Sequence, residues 1–102
     1  MKIIDENISK IYEICKEFYI KKLWVFGSIL TPDFNSESDI DLLVEFDRSK
    51  IDILDMADIF FGFIDRMETL LERKIDLVEY SAIKNKYFKE EVDATKKILW
   101  TA

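Results

Sequence analysis

The fold of this chain is decided by one short stretch of sequence, Asp39-Ile40-Asp41-Leu42-Leu43-Val44, which continues to Phe46. Side chains alternate between the two faces of a β-strand, so both aspartates point the same way, about 6.6 Å apart along the chain. The opposite face is uniformly apolar and carries Ile40, Leu42, Val44 and Phe46. Like charges on one face repel, and a bound divalent cation would turn that repulsion into attraction. The stretch therefore predicts a strand over residues 39–46 with one buried face and a cation site on the other.

A third acid occupies the same setting in a second apolar strand, predicted over residues 74–80. Asp76 lies near the start of that strand, and an amphipathic helix over residues 53–72 is predicted between the two strands. Such a connection suits a right-handed crossover between parallel neighbours. Both strands then begin at one edge of the sheet, and we expect Asp76 to lie beside Asp39 and Asp41.

The residues before these strands complete the predicted site. An aromatic and β-branched strand over residues 22–26 ends at Gly27, and the turn-rich segment 31–38 leads directly to Asp39. The first strand must therefore end at the acidic edge and run antiparallel to the second. A glycine at such a bend lets backbone N–H groups approach a phosphate closely, and Ser28 adds a hydroxyl donor. Gly27 and Ser28 together predict a phosphate cradle that faces the cation site.

Helices account for most of the remaining chain. An apolar stripe predicts a helix over residues 6–19, and the last segments predict a weaker helix followed by an apolar end. The proposed helix caps are Asp5, Asp52 and Ser81, and the apolar end, residues 98–100, is either a strand or a docking segment. The order helix, strand, turn, strand, helix, strand, helix predicts an α+β fold (an α/β sandwich), in which helices cover a small mixed sheet. The 102 residues suit one domain, residues 1–102.

Composition excludes several classes of function. The chain has no histidine, which removes the Ser-His and Cys-His hydrolases, and its only cysteine, Cys15, lies on an apolar helical stripe as a core residue would. A formal net charge of −6 disfavours sequence-independent binding of nucleic acid. Acids at Asp5 and Glu6 precede any apolar run, so no signal peptide is expected, and the apolar stretch 59–64 is too short to span a bilayer. We therefore expect a cytoplasmic protein.

The motifs resemble those of a known superfamily. The spacing of Val25-Phe26-Gly27-Ser28, ten residues and then Asp39-Ile40-Asp41-Leu42-Leu43-Val44 closely resembles the Gly-Ser…Asp-x-Asp signature of the polymerase-β-like nucleotidyltransferases. The segment Lys74-Ile75-Asp76-Leu77-Val78 looks like the third-aspartate strand of that superfamily. The chain is similar in size to the minimal nucleotidyltransferases, whose members often act as antitoxins paired with a HEPN-domain ribonuclease toxin.

The resemblance implies a mechanism and a set of site residues. Asp39, Asp41 and Asp76 would be both the catalytic and the magnesium-binding residues, and Gly27 and Ser28 would bind the nucleotide. The expected reaction transfers AMP from ATP to a hydroxyl, with a tyrosine of a HEPN toxin as the acceptor. The resemblance also leaves a small-molecule acceptor open, and self-association stays open as well.

One departure from the superfamily pattern favours a different class of function. Many relatives carry an arginine and a further glycine directly after Gly-Ser, whereas this chain has Ile29-Leu30-Thr31-Pro32-Asp33. A positive charge near the triphosphate is missing from its expected place. The alternative hypothesis is therefore a binding module, an acidic antitoxin that neutralises its toxin by occlusion and keeps the metal ligands without using them.

Overall fold

Four strands and four helices make up the chain, all of whose residues, 1–102, are described by this computed structural model. The strands are β1 (Ile20–Phe26), β2 (Ile40–Phe46), β3 (Ile75–Glu79) and β4 (Lys97–Thr101). The helices are α1 (Lys2–Asp5), α2 (Ile8–Glu17), α3 (Met56–Leu71) and α4 (Lys86–Thr95). Short 3-10 turns occupy Gly27–Leu30, Arg48–Lys50, Ile53–Asp55 and Tyr80–Ala82. The α+β class predicted from the sequence is confirmed.

The sheet is mixed, with the strand order β3-β2-β1-β4. β2 and β3 are parallel because α3 carries the chain back across the sheet between them, whereas β1 is antiparallel to both β2 and β4. Both predicted strand directions are confirmed. The last strand, β4, resolves the ambiguity at residues 98–100, since it pairs with the free edge of β1.

The main core lies between one face of this sheet and the helices α2 and α3. The apolar face of β2 is buried as predicted, and the core cluster around it includes Ile40, Leu42, Val44, Phe46, Phe63 and Met67. Cys15 is fully buried in the same cluster, and burial raises the pKa of its thiol to about 12. A thiol with so high a pKa is unreactive at neutral pH, which agrees with its interpretation as a core residue.

Helix α4 covers the opposite face of the sheet, the face from which Asp41 projects. Trp24, Leu43 and Val92 form a small buried cluster beneath this helix. The Tyr80 hydroxyl donates to Asp93 at 2.9 Å, which anchors the helix to the end of β3. The helix therefore covers part of the face that carries the acid.

Two predicted helix caps are wrong. Asp5 is the last residue of the short helix α1, and α2 begins only at Ile8, because the backbone leaves helical geometry at Asn7. Ser81 lies in a 3-10 turn, and Asn85 caps α4 instead by accepting from two backbone N–H groups at 2.9 and 3.0 Å. Asp52 does accept from the Leu54 N–H, at the start of the 3-10 turn that leads into α3. None of the helices combines the length and apolar character that crossing a bilayer requires.

Candidate active site

The three aspartates lie at one edge of the sheet. Asp41 is the second residue of β2 and is the direct register partner of Asp76 on β3. Asp39 immediately precedes β2, and its neighbour Ile40 donates its N–H to the Lys74 carbonyl at 2.9 Å. Asp39 and Asp41 are half-buried, whereas Asp76 is exposed. The parallel pairing of β2 with β3 thus brings together residues separated by 35 positions along the chain.

Negative charge dominates this edge. Burial raises the pKa of the Asp41 carboxyl, and the nearby charges of Asp76 and Asp39 raise it further. A hydrogen bond from the Ser28 backbone N–H acts in the opposite direction and lowers the same pKa. The nearest cation is Lys74, whose Nζ lies 3.9 Å from Asp39 Oδ2 in an exposed ion pair that contributes little. A bound cation would relieve the remaining repulsion.

The side chains do not form a ready-made metal cluster. No group of three or more Asp, Glu, Cys or His side chains is arranged closely enough to hold an ion. The backbone register therefore brings the aspartates to one edge as predicted, whereas their carboxylates are not grouped to hold an ion. The donor set nevertheless fits magnesium, a hard cation that takes oxygen ligands from one or two carboxylates and completes its shell with phosphate and water.

Gly27 packs directly against Asp41. Its φ is +76°, a conformation that side chains other than glycine rarely adopt, and an added Cβ would lie 2.2 Å from Asp41 Oδ2. The residue begins the 3-10 turn Gly27–Leu30, and Thr31, the residue after the turn, donates its hydroxyl to the Ser28 carbonyl at 2.8 Å. The glycine predicted for access to phosphate is thus also required by the approach of the Asp41 carboxylate.

A further residue, Arg73, positions the loop between the 3-10 turn Gly27–Leu30 and the acids. Its guanidinium donates to the Asn35 carbonyl at 2.5 Å and to the Ser38 carbonyl, and it lies 4.7 Å from the centre of the Phe34 ring. Ser38 is the residue before Asp39, so these contacts hold the entry to β2. Sequence reasoning missed Arg73 because no local pattern relates it to a turn 35 residues earlier.

The chain is similar in sequence to known proteins. A family profile described as "Nucleotidyltransferase domain" matches residues 8–99. Two proteins of Methanocaldococcus jannaschii, each named "Putative protein adenylyltransferase", are 38% and 32% identical to the chain, with 88% of the chain and 88% of each relative covered. The matched region contains all five predicted site residues.

Solved structures share the fold at lower identity. A toxin–antitoxin structure with AMP-PNP is 20% identical, has a TM-score of 0.69 and covers 94% of this chain and 74% of its own. A tri-AMPylated HEPN toxin of Shewanella oneidensis in complex with its MNT antitoxin gives a TM-score of 0.64 at 19% identity, with 96% and 72% covered. The profile match over nine-tenths of the sequence, together with the adenylyltransferase relatives, shows that the chain belongs to the nucleotidyltransferase domain family.

Proposed function

We propose that the chain transfers AMP from ATP to a tyrosine of a HEPN toxin and acts as the antitoxin of that toxin. The observation that carries the proposal is the register of Asp41 with Asp76, with Gly27 packed against the Asp41 carboxylate. The archaeal relatives named as protein adenylyltransferases support AMP as the transferred group. The AMPylated HEPN toxin in the Shewanella complex supports the partner. The cytoplasm, which supplies ATP and keeps Cys15 reduced, is the proposed compartment.

The five site residues would have two separate roles, binding the metal and binding the phosphates. Asp39, Asp41 and Asp76 would hold magnesium, which neutralises charge on the triphosphate when it is bound. The Ser28 hydroxyl and the backbone N–H groups that follow Gly27 would donate to the β- and γ-phosphates. Asp39 and Asp41 are half-buried, which suits fixed ligands, and Asp76 is exposed, which suits contact with an incoming acceptor.

The bond changes follow from this arrangement. The acceptor oxygen attacks the α-phosphorus, the bond from that phosphorus to the β-phosphate oxygen breaks, and pyrophosphate leaves. Asp76 accepts the proton of the acceptor hydroxyl as the oxygen attacks. The exposure of Asp76 leaves space for an acceptor presented by another protein, and a toxin tyrosine meets that requirement.

The decisive experiment measures transfer and neutralisation together. A candidate HEPN toxin from the same organism is incubated with the chain, magnesium and ATP labelled on the α-phosphate. Rescue of growth is scored in cells that express both proteins. Asp39→Asn combined with Asp41→Asn should abolish labelling and rescue. Asp33→Asn is the matched control, because Asp33 is an exposed acid in the preceding loop and lies outside the site.

The same experiment tests the occluding module, which the Ile29-Leu30 pair in place of arginine favours. An occluding antitoxin would rescue growth even when the double variant transfers no label, because the contact surface is elsewhere. Rescue without label would therefore refute the catalytic antitoxin. Label that appears on a small molecule and never on the toxin would point to the alternative acceptor.

A further inference from the structure

Three large apolar side chains near the start of α3 are exposed to solvent. Ile53 and Leu54, in the 3-10 turn that leads into the helix, are 83% and 86% exposed, and Phe61, in the second helical turn, is 65% exposed. None of the three packs against the main core cluster, whereas the adjacent Ile59 and Phe60 do. The fold therefore does not use these three side chains for its own core.

Helical spacing groups these side chains on one surface. Leu54 and Phe61 are seven residues apart, about two turns, and the exposed Ala57 lies between them on the same face. Each of the other large exposed apolar side chains lies on a different segment of the chain. Single exposed apolar residues are ordinary, whereas a contiguous group marks an interaction surface. We call this surface the apolar patch, and it consists of Ile53, Leu54, Ala57 and Phe61.

Unpaired carboxylates surround the apolar patch. Residues 51–65 contain no lysine or arginine and have four aspartates, all exposed and none in an ion pair, namely Asp52, Asp55, Asp58 and Asp65. Asp65 follows Phe61 by one helical turn on the same face. Arg66, the first cation after this segment, is already paired with Glu17. The patch thus presents apolar surface inside a rim of negative charge.

The apolar patch lies at the opposite end of the sheet from the three aspartates of the candidate site. The Phe61 ring meets the Phe60 ring edge to face at 5.2 Å between centroids, and Phe60 lies 6.3 Å from the ring of Phe46, the last residue of β2. Asp41 is five residues earlier in that strand, about 16 Å away. A protein bound at the patch is therefore in contact with a part of the chain that is separate from the acidic edge.

We propose that the apolar patch docks a partner protein whose contact surface is apolar at its centre and ringed by lysine and arginine. Opposite charges at the rim steer such an encounter, and apolar groups at the centre exclude water. A second copy of the chain does not fit, because a two-fold contact would bring the aspartates of the two rims together. Nucleic acid and anionic membranes are disfavoured because they carry negative charge too.

The identity of the partner, the HEPN toxin, rests on the proposed function, while the chemistry of the contact rests on the patch. Docking and transfer then use different ends of the chain, so affinity for the toxin does not depend on the site aspartates. Loss of the patch should therefore raise KM for the toxin about tenfold in AMP transfer and leave kcat unchanged.

The test measures binding separately from transfer. Calorimetry uses a candidate HEPN toxin from the same organism and a chain that carries Asp39→Asn with Asp41→Asn, so that no AMP is transferred during the titration. In this background, Leu54→Gln with Phe61→Gln should weaken toxin binding about tenfold or more, as expected for the loss of two apolar anchors. Glutamine is a good helix former, and thermal unfolding verifies that the variant folds.

The matched control removes two exposed apolar side chains from other elements. Tyr87 on α4 is 79% exposed and Ile98 on β4 is 53% exposed, and neither belongs to the patch. Tyr87→Gln with Ile98→Gln should leave toxin affinity unchanged.

A second pair of variants tests the charged rim. Asp58→Asn with Asp65→Asn should weaken binding about threefold and reduce its dependence on salt. Glu13→Gln with Glu90→Gln removes the same net charge from exposed acids that lie outside the patch and make no ion pair, and it should change neither property. Equal effects of the two pairs would show that only net charge matters and would refute the contact.

Several other outcomes would overturn the inference. A toxin that does not bind the chain, or that binds the Leu54 and Phe61 variant as tightly as the control, would leave the patch without this partner. Self-association of the chain that is lost in the same variant would assign the patch to a second copy. A lower kcat with unchanged KM would connect the patch to the chemistry. Toxin that binds through the patch and takes no label would support docking and refute the proposed function alone.

Discussion

Replacement of Gly27 by alanine should cost a large share of the stability of this small domain. The positive φ of +76° alone makes a side chain at this position unfavourable by roughly 1–2 kcal/mol. The added Cβ would also lie 2.2 Å from Asp41 Oδ2 and 3.1 Å from Asp41 Cγ, so the carboxylate must move. That movement takes the carboxylate away from the Ser28 N–H, which lowers its pKa in the native position, and the lost interaction adds about 1 kcal/mol for a half-exposed acceptor. The sum is about 2–3 kcal/mol, against a total of about 5–15 kcal/mol for a typical domain.

A double-mutant cycle separates these two contributions. Urea unfolding is measured for wild type, Gly27→Ala, Asp41→Ala and the double variant. In the Asp41→Ala background the clash is absent, so Gly27→Ala should cost only the conformational term, and the coupling energy should be about 1 kcal/mol. Equal costs in the two backgrounds would refute the argument from close approach. A cost below about 0.5 kcal/mol in wild type would refute the conformational argument as well.

The other glycine provides the control for this cycle. Gly62 lies inside α3 with a helical backbone, and a Cβ there would meet Phe18 Cε1 at 2.8 Å. The aromatic ring is a side chain that can turn aside, and alanine gains up to about 1 kcal/mol of helix propensity over glycine. Gly62→Ala should therefore be close to neutral, and it should show no coupling to Asp41→Ala.

Three further predictions follow from the acidic edge. Asp41→Asn should stabilise the fold at neutral pH, because the raised pKa of Asp41 means that its charged form opposes folding. The gain should vanish below about pH 4, where the carboxyl of the unfolded chain is protonated too, and equal unfolding free energies of the two proteins at pH 7 would contradict the prediction. Magnesium should tighten ATP binding in calorimetric titrations of wild type, and this effect should disappear in the double variant Asp41→Asn, Asp76→Asn. A wild-type ATP affinity that does not change with magnesium would exclude the metal site. Arg73→Ala should raise the magnesium concentration needed for half-maximal ATP binding, and Arg73→Lys should restore it only in part, because an ammonium lacks the planar guanidinium that lies over the Phe34 ring. Full recovery in the lysine variant would show that the positive charge alone is required.

Local pattern was sufficient to place most of the candidate site. The alternation along residues 39–46 identified β2, and the same pattern identified β3, because a half-buried strand must repeat its apolar residues with a period of two. The short turn before Asp39 required β1 to be antiparallel, and the long helix between β2 and β3 required those strands to be parallel. These constraints are enough to bring Asp39, Asp41 and Asp76 to one edge with Gly27.

The details that sequence reasoning missed depend on contacts between distant residues. Asn85 caps α4 in place of the predicted Ser81, because the chain first forms a 3-10 turn after β3. Serine and asparagine have similar capping preferences, so the sequence does not distinguish the two positions. The role of Arg73 arises only when the loop before Asp39 folds against the start of β3. Both outcomes are set by packing, which a local pattern does not encode.

The sequence by itself therefore determined the strand directions, the acidic edge and the family, since each follows from the period of a strand or the length of a connection. Only the tertiary structure decided the contact between Gly27 and Asp41 and the exposure of the apolar patch around Phe61. The physical reason is that strand register fixes which backbone segments are neighbours, one strand spacing apart. Side-chain positions depend in addition on the close packing of neighbouring residues and on their charges.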